Sequence, residues 1–215
     1  LSLVGSEMCI RASLVGSDSY IFDDFTKKQL DTFTRVAAEL EAGLEYKVIK
    51  HILNSAGIER FTDYQMDMVR LGIGLYGVSA SGQKGLRNIS TLKTTILQIQ
   101  NVPAGDSIGY SRMSYVKRDS RIAIIPIGYA DGLDRHFSNG GGEVVINGHR
   151  CPIIGNICMD ACMIDVTDTD AHEGDSVIIF GEELPVSELS DKLKTIPYEI
   201  LTSISPRVKR VYYRE

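Results

Sequence analysis

Polar side chains that interrupt apolar runs carry the candidate chemistry of this chain. Asn54-Ser55 follows the run Val48-Ile49-Lys50-His51-Ile52-Leu53, and Arg70-Leu71-Gly72-Ile73 opens a second apolar stretch. Polar groups just past the C-terminal ends of parallel strands are where α/β barrels place their sites, so these two segments are the first candidates. The competing reading makes Asn54 and Ser55 a helix cap and Arg70 half of a surface ion pair. Farther along, Ile108-Gly109-Tyr110, Ile127-Gly128-Tyr129-Ala130-Asp131-Gly132 and Cys158-Met159-Asp160 each set a polar or reactive side chain beside glycine or at a strand end. Taken singly, each of these is more commonly a turn or a core residue. The four cysteines, Cys9, Cys151, Cys158 and Cys162, lack the density of a disulfide scaffold, and the spacing after Cys158 is C-x3-C, not the C-x2-C of zinc sites. They read as buried thiols.

These residues need elements to position them. Thr26-Lys27-Lys28-Gln29 has the capping-box form, and Leu30, Phe33, Ala37 and Leu40 follow at helical spacing, which predicts an amphipathic helix ending near Gly43. The β-branched run at 48–53 predicts a strand, residues 64–68 a short helix, and Leu71 to Tyr76 a further apolar element. Such alternation reads as βα units with a parallel sheet. After about Gly82 the pattern changes to short candidate strands at 94–100, 121–127, 143–146, 153–157, 163–166 and 177–180, separated by Gly, Pro, Asn or Asp. Within them Asn147-Gly148 supplies the positive φ of a type I′ hairpin turn. The reading is an α/β domain over 1–82 and an all-β module over 83–215, with no internal repeat.

Composition narrows the function classes. The chain has 215 residues, 43% hydrophobic and 24% charged, enough to bury a core. A net charge of −5 without any Lys/Arg-rich run argues against a nucleic-acid footprint and leaves small molecules as the favoured partners. No apolar stretch approaches the roughly 20 residues that span a bilayer, and no charged n-region precedes an apolar h-region, so the expectation is no membrane partner and a cytoplasmic location. The opening at Leu1, directly on a half-apolar segment, suggests a fragment of a longer protein.

Taken together and in order, Asn54-Ser55-Ala56-Gly57, Asp67 to Gly77, Ile125 to Gly132, Pro152 to Asp160 and Ile204-Ser205-Pro206-Arg207-Val208 resemble the alanine racemase family, and so does Gly16-Ser17-Asp18 with Asp24-Phe25-Thr26 and Gln29. The resemblance runs from about Arg11 to the end. It implies a partial (β/α)8 (TIM) barrel followed by a β-barrel-like domain, in homodimers whose active sites are shared between subunits. It further implies pyridoxal 5′-phosphate as cofactor and alanine as substrate, with D-alanine destined for the peptidoglycan of the cell wall. Asn54, Ser55, Gly72 and Ile73 would surround the cofactor phosphate as neutral donors suited to a dianion, and Arg70 would face the pyridine nitrogen. Tyr110 would be one of two acid/base groups, acting in the partner subunit's site, and Tyr129 with the Met159 backbone would hold the substrate carboxylate. Cys158 and Asp160 would stand one layer behind. Some family members follow a peptidoglycan ligase on one chain, so the resemblance admits an N-terminal fusion.

Three departures accompany the resemblance. The family's cofactor lysine sits in a Lys-Ala-x-Ala-Tyr-Gly-like stretch that this sequence does not contain, so the chain as given is expected not to racemise alanine. Ser13 stands where the family usually has histidine, and Pro206 where some members have a tyrosine on the phosphate. The alternatives are a non-catalytic remnant that dimerises or binds the cofactor without turnover, and a free-standing β module built on 83–215. Related decarboxylases share barrel and cofactor, but the Gly-Tyr-Ala-Asp-Gly and Cys-Met-Asp segments fit racemases better. Residues 1–82 are expected to be poorly stable alone, because an incomplete parallel sheet has open edges.

Overall fold

A computed structural model describes residues 8–83 and 85–213; Leu1, on which the expectation of a fragment rests, lies outside the described residues. The chain divides into two compact units, Leu1–Arg87 and Asn88–Glu215.

The first unit is built from β1 (Cys9–Arg11), α1 (Asp23–Ala42), β2 (Ile49–His51) and α2 (Ser55–Arg60). β1 and β2 pair in parallel, with Cys9 opposite Ile49 and Arg11 opposite His51, so β1-α1-β2 is a βαβ crossover. Leu30, Phe33 and Ala37 of α1 meet Leu14, Ile52 and Leu53 in one core. The helix starts one turn earlier than the capping-box reading, with Asp23 and Asp24 in its first turn, where carboxylates suit the positive helix end. Thr26 is therefore inside the helix and buried, and the Gln29 side chain accepts the Val15 N–H at 3.2 Å instead of turning back to the cap. Gly43 ends the helix as expected.

Two further expectations shift. The short helix forms at α2, directly after Asn54, and only a 3-10 turn (Thr62–Tyr64) lies near the expected 64–68 segment. The apolar element Leu71 to Tyr76 takes no regular strand or α-helix. Gly72, Gly74 and Gly77 deprive it of side chains to pack, and Ile73–Tyr76 closes as a 3-10 turn on Gly77 at φ 76°.

The second unit holds β3 (Leu92–Thr95), β4 (Gln98–Val102), β5 (Ser107–Ile108), β6 (Ser114–Tyr115), β7 (Ser120–Ile125), β8 (Glu143–Ile146), β9 (His149–Ile154), β10 (Cys162–Asp165) and β11 (Ser176–Phe180), then α3 (Val186–Leu193) and α4 (Pro197–Ser203). Seven strands form one antiparallel sheet in the order β3-β11-β8-β9-β10-β7-β4, and β5 and β6 pair separately. The edge strands β3 and β4 are consecutive in the chain and joined only through Ile96-Leu97, so the sheet must curl toward closure. That joint splits the expected 94–100 strand in two. Asn147 and Gly148 carry φ of 50° and 77° between β8 and β9, the positive pair that a type I′ turn needs. α3 and α4 correct the all-β expectation; α3 buries Val186 and Leu189. Among the described residues, no helix is long and apolar enough to cross a membrane.

Candidate active site

In the first unit the residues singled out at the strand end gather around one loop. Asn54 caps α2: its Oδ1 accepts from the Gly57 N–H at 3.0 Å and from the Ser17 hydroxyl at 2.8 Å, while its Nδ2 donates to the Leu14 carbonyl at 3.0 Å. An amide NH2 has two hydrogens, so one remains for another acceptor. Ser55 Oγ accepts from the Gly72 N–H at 2.9 Å, which ties the α2 start to the 70–73 segment and leaves the serine hydroxyl hydrogen to donate elsewhere. The N–H of Gly72 is thus engaged inside the protein, and among the described residues the N–H of Ile73 has no partner.

Among the described residues Arg70 has no ion-pair partner. Its Nη2 donates to the carbonyls of Ala12 at 2.5 Å and Ile52 at 2.9 Å, which fixes the guanidinium across the ends of both strands. Its Nε is buried with no partner. Burial, and after it the charge of Arg11, lowers the Arg70 pKa from its ordinary value, yet a guanidinium keeps its proton. His51, 3% exposed, ends β2 just before Ile52, whose carbonyl Arg70 engages. Burial first, then Arg70 and Arg11, push it toward the neutral form.

In the second unit, Tyr110 is 72% exposed and its backbone is held in an uncommon conformation, with φ of 71° at Gly109, 64° at Ser111 and 49° at Arg112. The φ of Gly109 favours glycine, while a Cβ there would meet only the flexible end of Met163, Cε at 2.8 Å. Asn156 Nδ2 donates to the Tyr110 carbonyl at 3.0 Å, Asn139 Nδ2 donates to Asn156 Oδ1 at 3.0 Å, and Ser114 donates to Asn139 Oδ1 at 2.6 Å. This relay holds the loop in place.

Tyr129 and Met159 come together on neighbouring loops. The N–H groups of Tyr129 and Ala130 donate to the carbonyls of Cys158 and Met159, each at 3.0 Å. The loops approach so closely that a Cβ on Gly128 would lie 2.3 Å from the Cys158 oxygen. Among the described residues the Met159 N–H has no partner. The buried-thiol reading holds for Cys151 and Cys162, pushed up to about 11 and about 12 chiefly by burial, whereas Cys158 is half-buried and Cys9 is exposed.

The sequence reading missed three features. Glu59 accepts from the Ala80 and Ser81 N–H groups and pins that loop. The Asn139-Asn156 relay was not anticipated. Nor was the joining of Asp131 and Asp160 through Arg207, with Nε at 2.7 Å from Asp131 and Nη2 at 2.5 Å from Asp160. All three pair residues far apart in sequence, and no local spacing signals them.

A βαβ segment with donors at its strand ends, followed by a curled antiparallel domain carrying an exposed tyrosine, defines a partial (β/α)8 barrel joined to a β-barrel-like domain. Residues 11–80 match the family described as alanine racemase, N-terminal domain, and residues 89–212 match alanine racemase, C-terminal domain, so the chain belongs to the alanine racemase family. It is 42% identical over 199 residues to alanine racemase 1 of Caldanaerobacter subterraneus subsp. tengcongensis, covering 88% of this chain and 51% of that protein. Similar solved structures include alanine racemase from Bartonella henselae with covalently bound pyridoxal phosphate (TM-score 0.86, 37% identity, 95% of this chain and 56% of that one). The alanine racemase of Bacillus anthracis with bound L-Ala-P is similar too, with TM-score 0.88 and 32% identity over 96% of this chain and 55% of that one. The chain spans about half the length of the relatives it matches.

Proposed function

We propose that the full-length gene product interconverts L-alanine and D-alanine with pyridoxal 5′-phosphate, supplying D-alanine for peptidoglycan in the cytoplasm. On this reading residues 1–82 are the C-terminal part of a cofactor-binding barrel, 83–215 are the β domain, and the protein works as a homodimer. The observation that carries it is Arg70: in a chain of this family, a half-buried guanidinium is locked by two carbonyls with its buried Nε unpartnered. A ring nitrogen is the acceptor such a group fits, and a donor that never releases its proton leaves that nitrogen unprotonated.

When bound, pyridoxal phosphate supplies the electron sink that acidifies the α-carbon of an amino acid. The Ser55 hydroxyl, the Ile73 N–H and the free Asn54 amide hydrogen are neutral donors for its phosphate, with Gly72 shaping the loop through its bond to Ser55. Tyr129 and the Met159 N–H hold the substrate carboxylate. Tyr110 exchanges a proton with one face of the α-carbon in the partner subunit's site, a role its exposure supports. Proton transfer on the other face needs a second base, which the family draws from its lysine; this chain alone is inactive on that reading. A cofactor-binding protein without turnover is the second reading, favoured by Ser13.

The test is to assay the full-length gene product and this chain for L- to D-alanine conversion with added pyridoxal phosphate. Turnover by the full-length product alone supports the racemase; a complete product that binds the cofactor without turnover supports the second reading.

A further inference from the structure

Three segments of the second unit meet at Arg207. Asp131 Oδ2 accepts the Gly128 N–H at 2.9 Å, Asp131 Oδ1 accepts Arg207 Nε at 2.7 Å, and the Asp131 carbonyl accepts the Ser205 N–H at 3.0 Å. The other arm of the guanidinium takes Asp160, which adjoins Met159. The 128–132 loop cannot drift from the tail either, since a Cβ on Gly132 would lie 2.6 Å from the Ser203 oxygen. A solvated ion pair would contribute little, but Asp131 is only 14% exposed, and its charge has to be answered inside the protein. Two carboxylates beside a place meant for a third would repel it, and one guanidinium fork answers both.

We infer that Arg207 is a positioning residue for the substrate carboxylate, joining the Tyr129 and Met159 loops into one surface and cancelling the charge of Asp131 and Asp160 beside it. The inference rests on the reading that Tyr129 and the Met159 N–H receive that carboxylate. Pro206, next in the chain, fixes φ just before the guanidinium-bearing residue and stiffens its approach.

The test compares Arg207→Gln, Arg207→Lys and the double variant Arg207→Gln/Asp160→Asn in the full-length gene product. Arg207→Gln is expected to raise KM for alanine about 10- to 100-fold while kcat stays within about threefold, the signature of lost binding rather than lost chemistry. Arg207→Lys, which keeps the charge without the fork, should fall between. Adding Asp160→Asn, which removes one of the two carboxylate charges left unanswered, should recover part of the loss, which a purely structural role would not do. An unchanged KM in Arg207→Gln, or a raised KM that Asp160→Asn leaves unrelieved, overturns the inference.

Amide hydrogen exchange supplies a readout independent of turnover. In Arg207→Gln the Tyr129 and Ala130 amides should exchange at least about tenfold faster while the β8-β9 ladder keeps its protection. Equal loosening of both means general unfolding and overturns the inference. A wild-type protein that does not racemise alanine removes the functional reading alone, and exchange at Tyr129 and Ala130 still decides whether Arg207 is the clamp.

Discussion

The two units carry their candidate residues on different kinds of support. In the second, β7, β8, β9 and β10 are inner strands of a curled ladder, and Val144, Ile146, Ile153, Ile164 and Val166 beneath them are fully buried. In the first, a two-stranded parallel sheet holds Asn54, Ser55 and Arg70, while Val15, Tyr20, Ile21 and Phe25 stand exposed. Parallel strands ordinarily have both faces covered and neighbours on each side, so the first unit is expected to be the less stable of the two by itself. A long-range ladder can fix loops such as 128–132 and 158–160 by itself. In the βαβ crossover the 70–73 loop is held by isolated bonds, such as Gly72 N–H to Ser55 Oγ and Arg70 N–H to the Leu53 carbonyl, rather than by a ladder.

The sharpest way to break that contrast is to separate the units. Residues 88–215 expressed alone should melt cooperatively by circular dichroism, and residues 1–87 should show no cooperative transition; the reverse would end the comparison. Next in size, Ile164→Ala in β10 should cost about 3–5 kcal/mol by urea titration of the second unit, because the site cannot collapse around the lost atoms. Gly128→Ala should cost about 2–4 kcal/mol, since backbone carbonyls rather than flexible side chains fill the space, and it should separate the Tyr129 and Met159 loops.

Acid and alkali should distinguish the units. His51 is held neutral, its pKa below the ordinary 6.5, so unfolding gains a proton and stability of the first unit falls as pH drops below about 6.5. Cys151 and Cys162 are raised from 9.0 to about 11 and about 12, so their contribution is full below pH 9.0 and is lost as pH climbs through those values. Urea midpoints measured across pH, with His51→Gln and Cys162→Ala as controls, check both directions. Smallest of all, Glu39→Gln should leave stability unchanged within error, because its pair with Arg35 is largely solvated.

Much of this was legible in the sequence, for local reasons. Strand β8 and the Asn147-Gly148 turn could be read directly, because a β-branched run and a positive-φ pair are both encoded within a few residues. The helix at Leu30 to Ala37 was legible by its spacing, but its start was not: the acidic pair Asp23-Asp24 and the contact from Gln29 to Val15 outweighed the capping-box pattern. Leu71 to Tyr76 was legible only as an apolar element, and its glycines make it a 3-10 turn. Asn54, Ser55, Arg70, Gly72 and Ile73 were found as one group because they lie within twenty residues or so of each other on a strand-end pattern. The Arg207 fork could not be seen, since it joins positions 131, 160 and 207 only after the sheet has curled.

The most direct measurement of the central claim is α-proton exchange in D2O, followed by NMR from pure L-alanine and pure D-alanine, for the full-length gene product and its Tyr110→Phe variant with pyridoxal phosphate. The account predicts interconversion of both enantiomers by the unaltered protein. For the variant it predicts a loss of racemisation of at least about 1000-fold, with exchange surviving for one enantiomer only. Undiminished racemisation by Tyr110→Phe, or exchange of both enantiomers at the original rate, would contradict it.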